Sequence, residues 1–207
     1  KNKIINADFR DVLKELPDKS VDLLLTDPPY AIDIVRQLVK KDPYQKHGYK
    51  SWELKEWDKE RPTKKDFEEM IRVSKNQIIW GGNYFELKPC YGYVIWDKEI
   101  PEGLSFSDCE FAWHSFKKAP KIFRYSAYLD KKIKQHPTQK PVALYKWLLD
   151  KYAKQGDKIL DTHIGSMSIA IACHDYGFEL TGCELDKDYY DKGVQRIKNH
   201  VSQGKLF

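Results

Sequence analysis

No apolar run in this 207-residue chain approaches the roughly 20 residues that a membrane-spanning helix needs, so no membrane partner is expected. The opening residues, Lys1-Asn2-Lys3-Ile4-Ile5-Asn6, lack the apolar stretch of a signal peptide, and a cytoplasmic location is the default expectation. Cysteine is scarce. Cys90, Cys109, Cys173 and Cys183 form no C-x-x-C pair, and no histidines cluster at metal-finger spacing. Reduced thiols packed as small apolar side chains are therefore expected, with no disulfide and no metal site. Internal repeats, low-complexity tracts and linkers are lacking too, which points to one domain over residues 1–207. A hydrophobic fraction of 41% beside a charged fraction of 32% excludes a disordered chain.

What is present starts with charge. The formal net charge is +5, compatible with a polyanionic partner but too small to establish one. Its placement is more specific. A loop around residues 31–65 mixes Lys40, Lys41, Lys46, Lys50, Lys55, Arg61, Lys64 and Lys65 with Tyr44, Tyr49, Trp52 and Trp57. Such a segment can neutralise phosphates and stack on exposed bases, or be a solvated surface loop.

Short apolar runs alternate with amphipathic helical stretches, which predicts an α/β fold with a mostly parallel central sheet flanked by helices. Strands are expected at Ile4–Asn6, Val21–Thr26, Gln77–Trp80, Tyr91–Trp96, Cys109–Phe116, Lys121–Tyr125, Lys158–Asp161 and Leu180–Glu184. Helices are expected from Phe9 to Leu16, Lys64 to Ser74, from Pro141 through Tyr152, Ser168 to Tyr176, and along the Tyr190, Val194, Ile197, Val201 stripe. The middle strands read as a small β-rich insertion around 97–135, expected to recognise the target.

The chemistry concentrates at Asp27-Pro28-Pro29-Tyr30, directly after the buried strand Val21–Thr26. Ligands of open α/β sheets sit beyond the carboxyl ends of strands. Two prolines fix φ and remove two N–H donors, giving a stiff corner. A rigid carboxylate beside a rigid carbonyl can hold one NH₂ group, and a ring one step on can stack on the base bearing it. Hydrogen bonds from both N–H groups to Asp27 and the Pro28 carbonyl localise the nitrogen lone pair for attack on an electrophilic methyl, with positioning supplying much of the acceleration.

These residues resemble motif IV of the amino-methylating DNA methyltransferases. His136-Pro137-Thr138-Gln139-Lys140-Pro141 is similar to that family's motif X, Ile159-Leu160-Asp161-Thr162-His163-Ile164-Gly165-Ser166 to motif I, and Gly182-Cys183-Glu184-Leu185-Asp186 to motif II. The order, with the catalytic motif ahead of the cofactor motifs, is that of the circularly permuted beta class, and a small phage-type member is the nearest pattern. The resemblance covers essentially the whole chain. It implies a Rossmann-like methyltransferase fold, S-adenosylmethionine as methyl donor, and double-stranded DNA as substrate with an adenine flipped out for N6-methylation. It implies Asp27, Pro28, Pro29 and Tyr30 as catalytic residues. Asp161, Gly165 and Ser166 would form the cofactor turn, and Glu184, about twenty residues on, would accept from the ribose hydroxyls. Asp8 and Phe9 match a place near the cofactor adenine. Thr138 and Lys140 border its methionine part, where Lys140 could pair with the cofactor carboxylate. A bacterial or phage origin, a homodimer and a cognate restriction endonuclease belong to the same implication.

Two departures stand out. Where the family commonly has Pro-Phe and a final Gly in motif I, this chain has Thr162-His163 and Met167. His163 places a polar ring beside the expected cofactor, and Met167 adds bulk at a turn. Trp80-Gly81-Gly82-Asn83-Tyr84-Phe85 also resembles a segment of phage-type members, its two glycines after a strand permitting close backbone approach, and Ser107-Asp108-Cys109-Glu110-Phe111-Ala112-Trp113 belongs to the same resemblance as scaffold near the base pocket. Three alternatives stay open: N4 of cytosine in DNA, adenine in RNA, and a degenerate DNA-binding subunit that no longer catalyses.

Overall fold

The computed structural model describes residues 2–32, 60–102, 107–126 and 139–203. Most of the basic and aromatic loop, the His136–Thr138 part of motif X, and part of the 97–135 segment lie outside them.

The described strands are β1 (Lys3–Asn6), β2 (Val21–Thr26), β3 (Ser74–Trp80), β4 (Tyr93–Asp97), β5 (Cys109–His114), β6 (Lys121–Arg124), β7 (Lys158–Asp161) and β8 (Glu179–Glu184). The helices are α1 (Phe9–Glu15), α2 (Lys64–Val73), α3 (Val142–Tyr152), α4 (Ser168–Tyr176) and α5 (Lys187–Gln203). One sheet runs in the order β1-β8-β7-β2-β3-β5-β4-β6. Its first five strands are mutually parallel, whereas β5 is antiparallel to both β3 and β4, and β6 is parallel to β4.

The strands from the 97–135 segment thus continue the central sheet. β5 joins it through Ile79↔Trp113 and carries β4 on its other side, so the described part of that segment is sheet and not a separate unit. Some boundaries also move by a residue or more. Pro141 caps α3 from outside, and β3 starts at Ser74, directly after α2.

Alternation along β2 explains the layering. Leu23 and Leu25 enter one core with Leu144, Leu148 and Ile169, while Leu24 between them enters the other with Phe9, Leu13, Phe67 and Met70. A strand turns successive side chains to opposite faces, so Val21–Thr26 must be covered on both sides. α1 and α2 cover one face; α3, α4 and α5 cover the other. Each fully buried leucine contributes about 1.5–3 kcal/mol through the surface it removes from water.

Local capping sets the helices that carry site residues. Asp8 caps α1 by accepting from the Arg10 N–H at 2.8 Å. Thr63 and Asp66 form a reciprocal capping box on α2. Arg10 grips Asp66 with two parallel bonds of 2.9 and 3.0 Å, locking α1 onto α2.

The topology determines where chemistry can occur. From β2 the chain proceeds outward to β3, and from β7 outward to β8 on the other side, so the order reverses between β2 and β7. Crevices at such reversals receive ligands. Because β1, β8, β7, β2 and β3 are parallel, their carboxyl ends lie on one edge, and Asp8, Glu184, Asp161, Asp27 and Gly81 follow or end those strands.

Candidate active site

Two concavities open along that edge. One, of about 550 Å³, is lined by Asp8, Phe9, His163, Gly165, Ser166 and Glu184, among others. The second, of about 220 Å³, is lined by Pro28, Tyr30, Tyr84, Lys98, Glu110 and Phe111, among others. Asp27, Pro29 and Lys140 border both. The diproline corner therefore stands between the Gly165 turn and a smaller aromatic-walled pocket.

In the larger cavity Glu184 anchors the floor. Its Oε2 accepts from the Gly165 N–H at 3.0 Å and its Oε1 from the Asp186 N–H at 2.9 Å. Burial raises its pKa against those bonds. Gly165 takes a φ of +49°, which favours glycine, and an added Cβ would lie 3.9 Å from the His163 carbonyl oxygen, an ordinary contact. Ser166 accepts from Arg196 through its carbonyl at 2.6 Å. The His163 ring leans on Phe9 at 4.6 Å, and its Nδ1 lies 2.9 Å from Thr162 Oγ1. Burial, helped by nearby Arg10, lowers the His163 pKa to about 3, so the ring is neutral. It serves as an aromatic wall.

Asp161 differs from its expectation. It is 1% exposed and lies beneath the larger cavity, not among the side chains lining it. Its Oδ1 accepts from Thr26 Oγ1 at 2.8 Å and from the His163 N–H at 3.0 Å. Burial raises its pKa to about 7. Met167 differs as well. Its side chain is fully buried and packs under Gly193, where a Cβ would lie 2.7 Å from its sulfur, so its bulk enters the core.

At the corner itself, Asp27 Oδ1 accepts from the Tyr30 hydroxyl at 2.5 Å and Oδ2 from Lys140 Nζ at 2.5 Å. Burial raises the Asp27 pKa, outweighing the pull of Lys140. The Tyr30 ring stacks on Tyr84 at 4.9 Å and lies against Gly81, where an added Cβ would come within 2.2 Å of it. Gly81 also has a φ of +69°. Glycine is thus required there twice over.

Lys140 corrects its expectation in one respect. It borders the larger cavity, but its ammonium is paired with Asp27 and, at 2.9 Å, with Glu110 of β5 instead of awaiting a cofactor carboxylate. Burial pushes the Lys140 pKa down, and the two carboxylates more than reverse this. Glu110 is penalised by burial, yet Lys140 and Lys98 hold its pKa at about 2. Neither the Glu110–Lys140 pair nor the Lys98–Glu110 pair was legible in the sequence, because both depend on where β5 is set in the sheet, and the second also on β4–β5 pairing. Thr138 lies outside the described residues. Among the described residues no His/Cys/Asp/Glu group is arranged to hold a metal, and no helix is long and apolar enough to cross a membrane. The described cysteines are free thiols.

The chain is similar to known proteins in sequence and in fold. Two curated relatives each match a short stretch: Type II methyltransferase M.HpaI of Haemophilus parainfluenzae, 32% identical over 80 residues, and DNA adenine methyltransferase YhdJ of Escherichia coli (strain K12), 32% identical over 81 residues. Those stretches span 39% and 38% of this chain but only 26% and 28% of the relatives. Among solved structures, the M1.HpyAVI–SAM complex superposes with a TM-score of 0.61 at 21% identity, covering 95% of this chain and 99% of that one. The cytosine-N4-specific PvuII DNA methyltransferase gives 0.62 at 14% identity, covering 98% and 92%. These likenesses share the fold. The family model described as DNA methylase, of the N6/N4 methyltransferases, matches residues 39–195, more than half of the sequence, and the chain belongs to that family.

Proposed function

We propose that this protein transfers a methyl group from S-adenosylmethionine to N6 of an adenine rotated out of duplex DNA. The observation that carries this reading is the meeting of the two cavities at Asp27, Pro29 and Lys140. A donor in one and a base in the other would approach each other across a single carboxylate.

The larger cavity fits the donor. Glu184 offers carboxylate oxygens to ribose hydroxyls, Asp8 a second carboxylate, and Phe9 with neutral His163 a flat apolar wall for an adenine ring. When bound, the donor supplies a methyl group activated on a positively charged sulfur. The smaller cavity fits a base. A cavity of about 150 Å³ admits benzene, so about 220 Å³ gives room for a larger flat ring. Tyr30 and Tyr84 present aromatic surface there, and stacking on such surface contributes about 1–3 kcal/mol per base. Extruding the base costs a few kcal/mol of pairing and stacking.

Asp27 and the Pro28 carbonyl hold the two amine hydrogens, which turns the nitrogen lone pair toward the methyl. The nitrogen would bond to that methyl while the electron pair of the broken methyl–sulfur bond stays on sulfur, so the donor would leave as a neutral thioether. The surplus proton on nitrogen passes to the Asp27 carboxylate and then to solvent. Asp27 must first release the Tyr30 hydroxyl that occupies its Oδ1. Adenine is favoured over cytosine because an initial Asp in the tetrapeptide accompanies N6 chemistry in the family that the sequence resembles, and because the relative YhdJ is an adenine methyltransferase.

The test is methylation of duplex DNA by purified protein, read by nucleoside mass spectrometry. N6-methyladenine is expected, and Asp27→Ala should reduce it at least 100-fold while donor affinity changes little. Methylcytosine as the product would transfer the reading to N4 chemistry, and an active Asp27→Ala would remove it.

A further inference from the structure

Glu110 occupies β5 opposite Trp96 and faces the smaller cavity. Its Oε1 lies 2.7 Å from Lys98 Nζ, and its Oε2 lies 2.9 Å from Lys140 Nζ. Lys140 continues to Asp27 Oδ2, and Asp27 Oδ1 to the Tyr30 hydroxyl. One unbroken line of donors and acceptors thus runs Lys98–Glu110–Lys140–Asp27–Tyr30, with alternating charge over its first four members. The Lys140 side chain is only 2% exposed, and its ammonium stands 5.0 Å over the fully buried Trp80 ring.

A lysine at that depth is tolerated only if its charge is answered. Asp27 alone would answer it, but a closed one-to-one pair would leave Asp27 a poor acceptor for an amine and a poor base for its proton. A second carboxylate on the same ammonium divides that positive charge. The ammonium has three donors, so it can serve both carboxylates without releasing either.

We propose that Glu110 is a positioning residue for methyl transfer: acting through Lys140, it fixes the Asp27 carboxylate and preserves its basicity for the target amine. This rests on the reading of Asp27 given above. The other ionisable groups around the pair are Tyr30, Tyr145 and Asp161 near Asp27, with Lys98 and Cys109 on the Glu110 side.

The experiment is steady-state methylation of duplex DNA between pH 5.5 and 9 by the full chain, with donor affinity by calorimetry and thermal midpoints alongside. Glu110→Gln keeps the shape and removes the charge, so Lys140 acts on Asp27 alone. We expect kcat to fall about tenfold, with KM for DNA and donor affinity within about twofold, and the acid limb of the kcat profile to move down by about one pH unit. Lys140→Met leaves the two carboxylates facing each other, and the acid limb should move up by at least about one unit. Combining both substitutions should recover part of the Lys140→Met loss.

If Glu110→Gln lowers the thermal midpoint severely, Lys98→Met carries the same test with the opposite sign. It removes positive charge from the line, so the acid limb should move up. Superimposed pH profiles for wild type and Glu110→Gln, or a loss confined to KM or donor affinity, would overturn the proposal. So would a Lys140→Met variant that loses donor affinity with an unmoved limb. Asp27→Asn separates the role of Asp27 from that of Glu110. If it is active, the reading of Asp27 is at fault; if it is inactive while the Glu110→Gln limb stays in place, only the role of Glu110 falls.

Discussion

Thr26 Oγ1 donates to Asp161 Oδ1 at 2.8 Å, a bond between residues 135 positions apart that ties the last residue of β2 to the last residue of β7. It closes the place where the strand order reverses, directly behind the corner at Asp27. The Asp161 carboxyl sits so deep that its pKa is raised to about 7 in spite of that bond.

The sign of this shift gives a binding prediction. A raised carboxyl pKa leaves the fold unpenalised below the ordinary value, and stability is lost as pH rises from about 4 towards 7. A cation in the adjacent cavity favours the ionised form, so binding a sulfonium below pH 7 should release a proton. Affinity for S-adenosylmethionine is expected to rise by up to about tenfold per pH unit between pH 5.5 and 7 and then level off. The neutral thioether product should show a shallower slope, and Asp161→Asn should flatten the first curve. Calorimetry in two buffers measures both affinity and proton release; equal slopes for donor and product would count against this account.

His163 carries the opposite shift. Burial lowers its pKa from the ordinary 6.5 to about 3, so the unfolded chain takes up a proton that the fold refuses. Stability is therefore lost as pH falls from 6.5 towards 3. His163→Phe should make the fall of the thermal midpoint shallower over that window. His114, fully buried and with its pKa also lowered by burial, should maintain the remaining slope. A His163→Phe protein with unchanged acid sensitivity would show that the imidazole accepts a proton in place.

Tyr30 plays two opposed parts in the proposed reaction: its ring offers a stacking face, while its hydroxyl occupies the carboxylate that the amine needs. Its pKa lies well above 10, chiefly from burial, so that hydroxyl remains a donor at working pH. Tyr30→Phe should have a KM for DNA about tenfold lower than Tyr30→Ala, because stacking is worth about 1–3 kcal/mol. Equal damage in the two variants would mean that the hydroxyl matters more than the ring.

Met167 holds a φ of +61° at the start of α4, a conformation costing a non-glycine residue about 1–2 kcal/mol. Its buried side chain repays this, since emptying such a site costs about 2–5 kcal/mol. Met167→Gly should consequently lower stability by about 1–3 kcal/mol, and Met167→Ala by more, because alanine retains the strain without the packing. Urea unfolding ranks the three proteins. A Met167→Gly variant at least as stable as wild type would refute the balance.

Much of this was legible in the chain. Val21–Thr26, Lys158–Asp161 and Ser168–Tyr176 occupy the residues that their apolar pattern and turn residues indicate. β3 was less legible at its start. Ser74-Lys75-Asn76 carries no apolar signal, but Val21 pairs with Ser74, and Gln77 Nε2 bonds the Ser74 carbonyl at 3.0 Å. Polar residues were recruited there by a neighbouring strand.

The sequence by itself determined the α/β layering, the position of the diproline corner after a strand, and the glycine turn followed by an acid at the next strand end. All of these depend on residues a few positions apart, whose spacing and φ preferences act locally. Tertiary structure alone decided that Lys140 reaches Asp27 across 113 positions, that Glu110 meets the same ammonium, and that Met167 turns inward. Those outcomes depend on which strands pair and in what register. Pairing minimises the free energy of the whole sheet, which no local window contains.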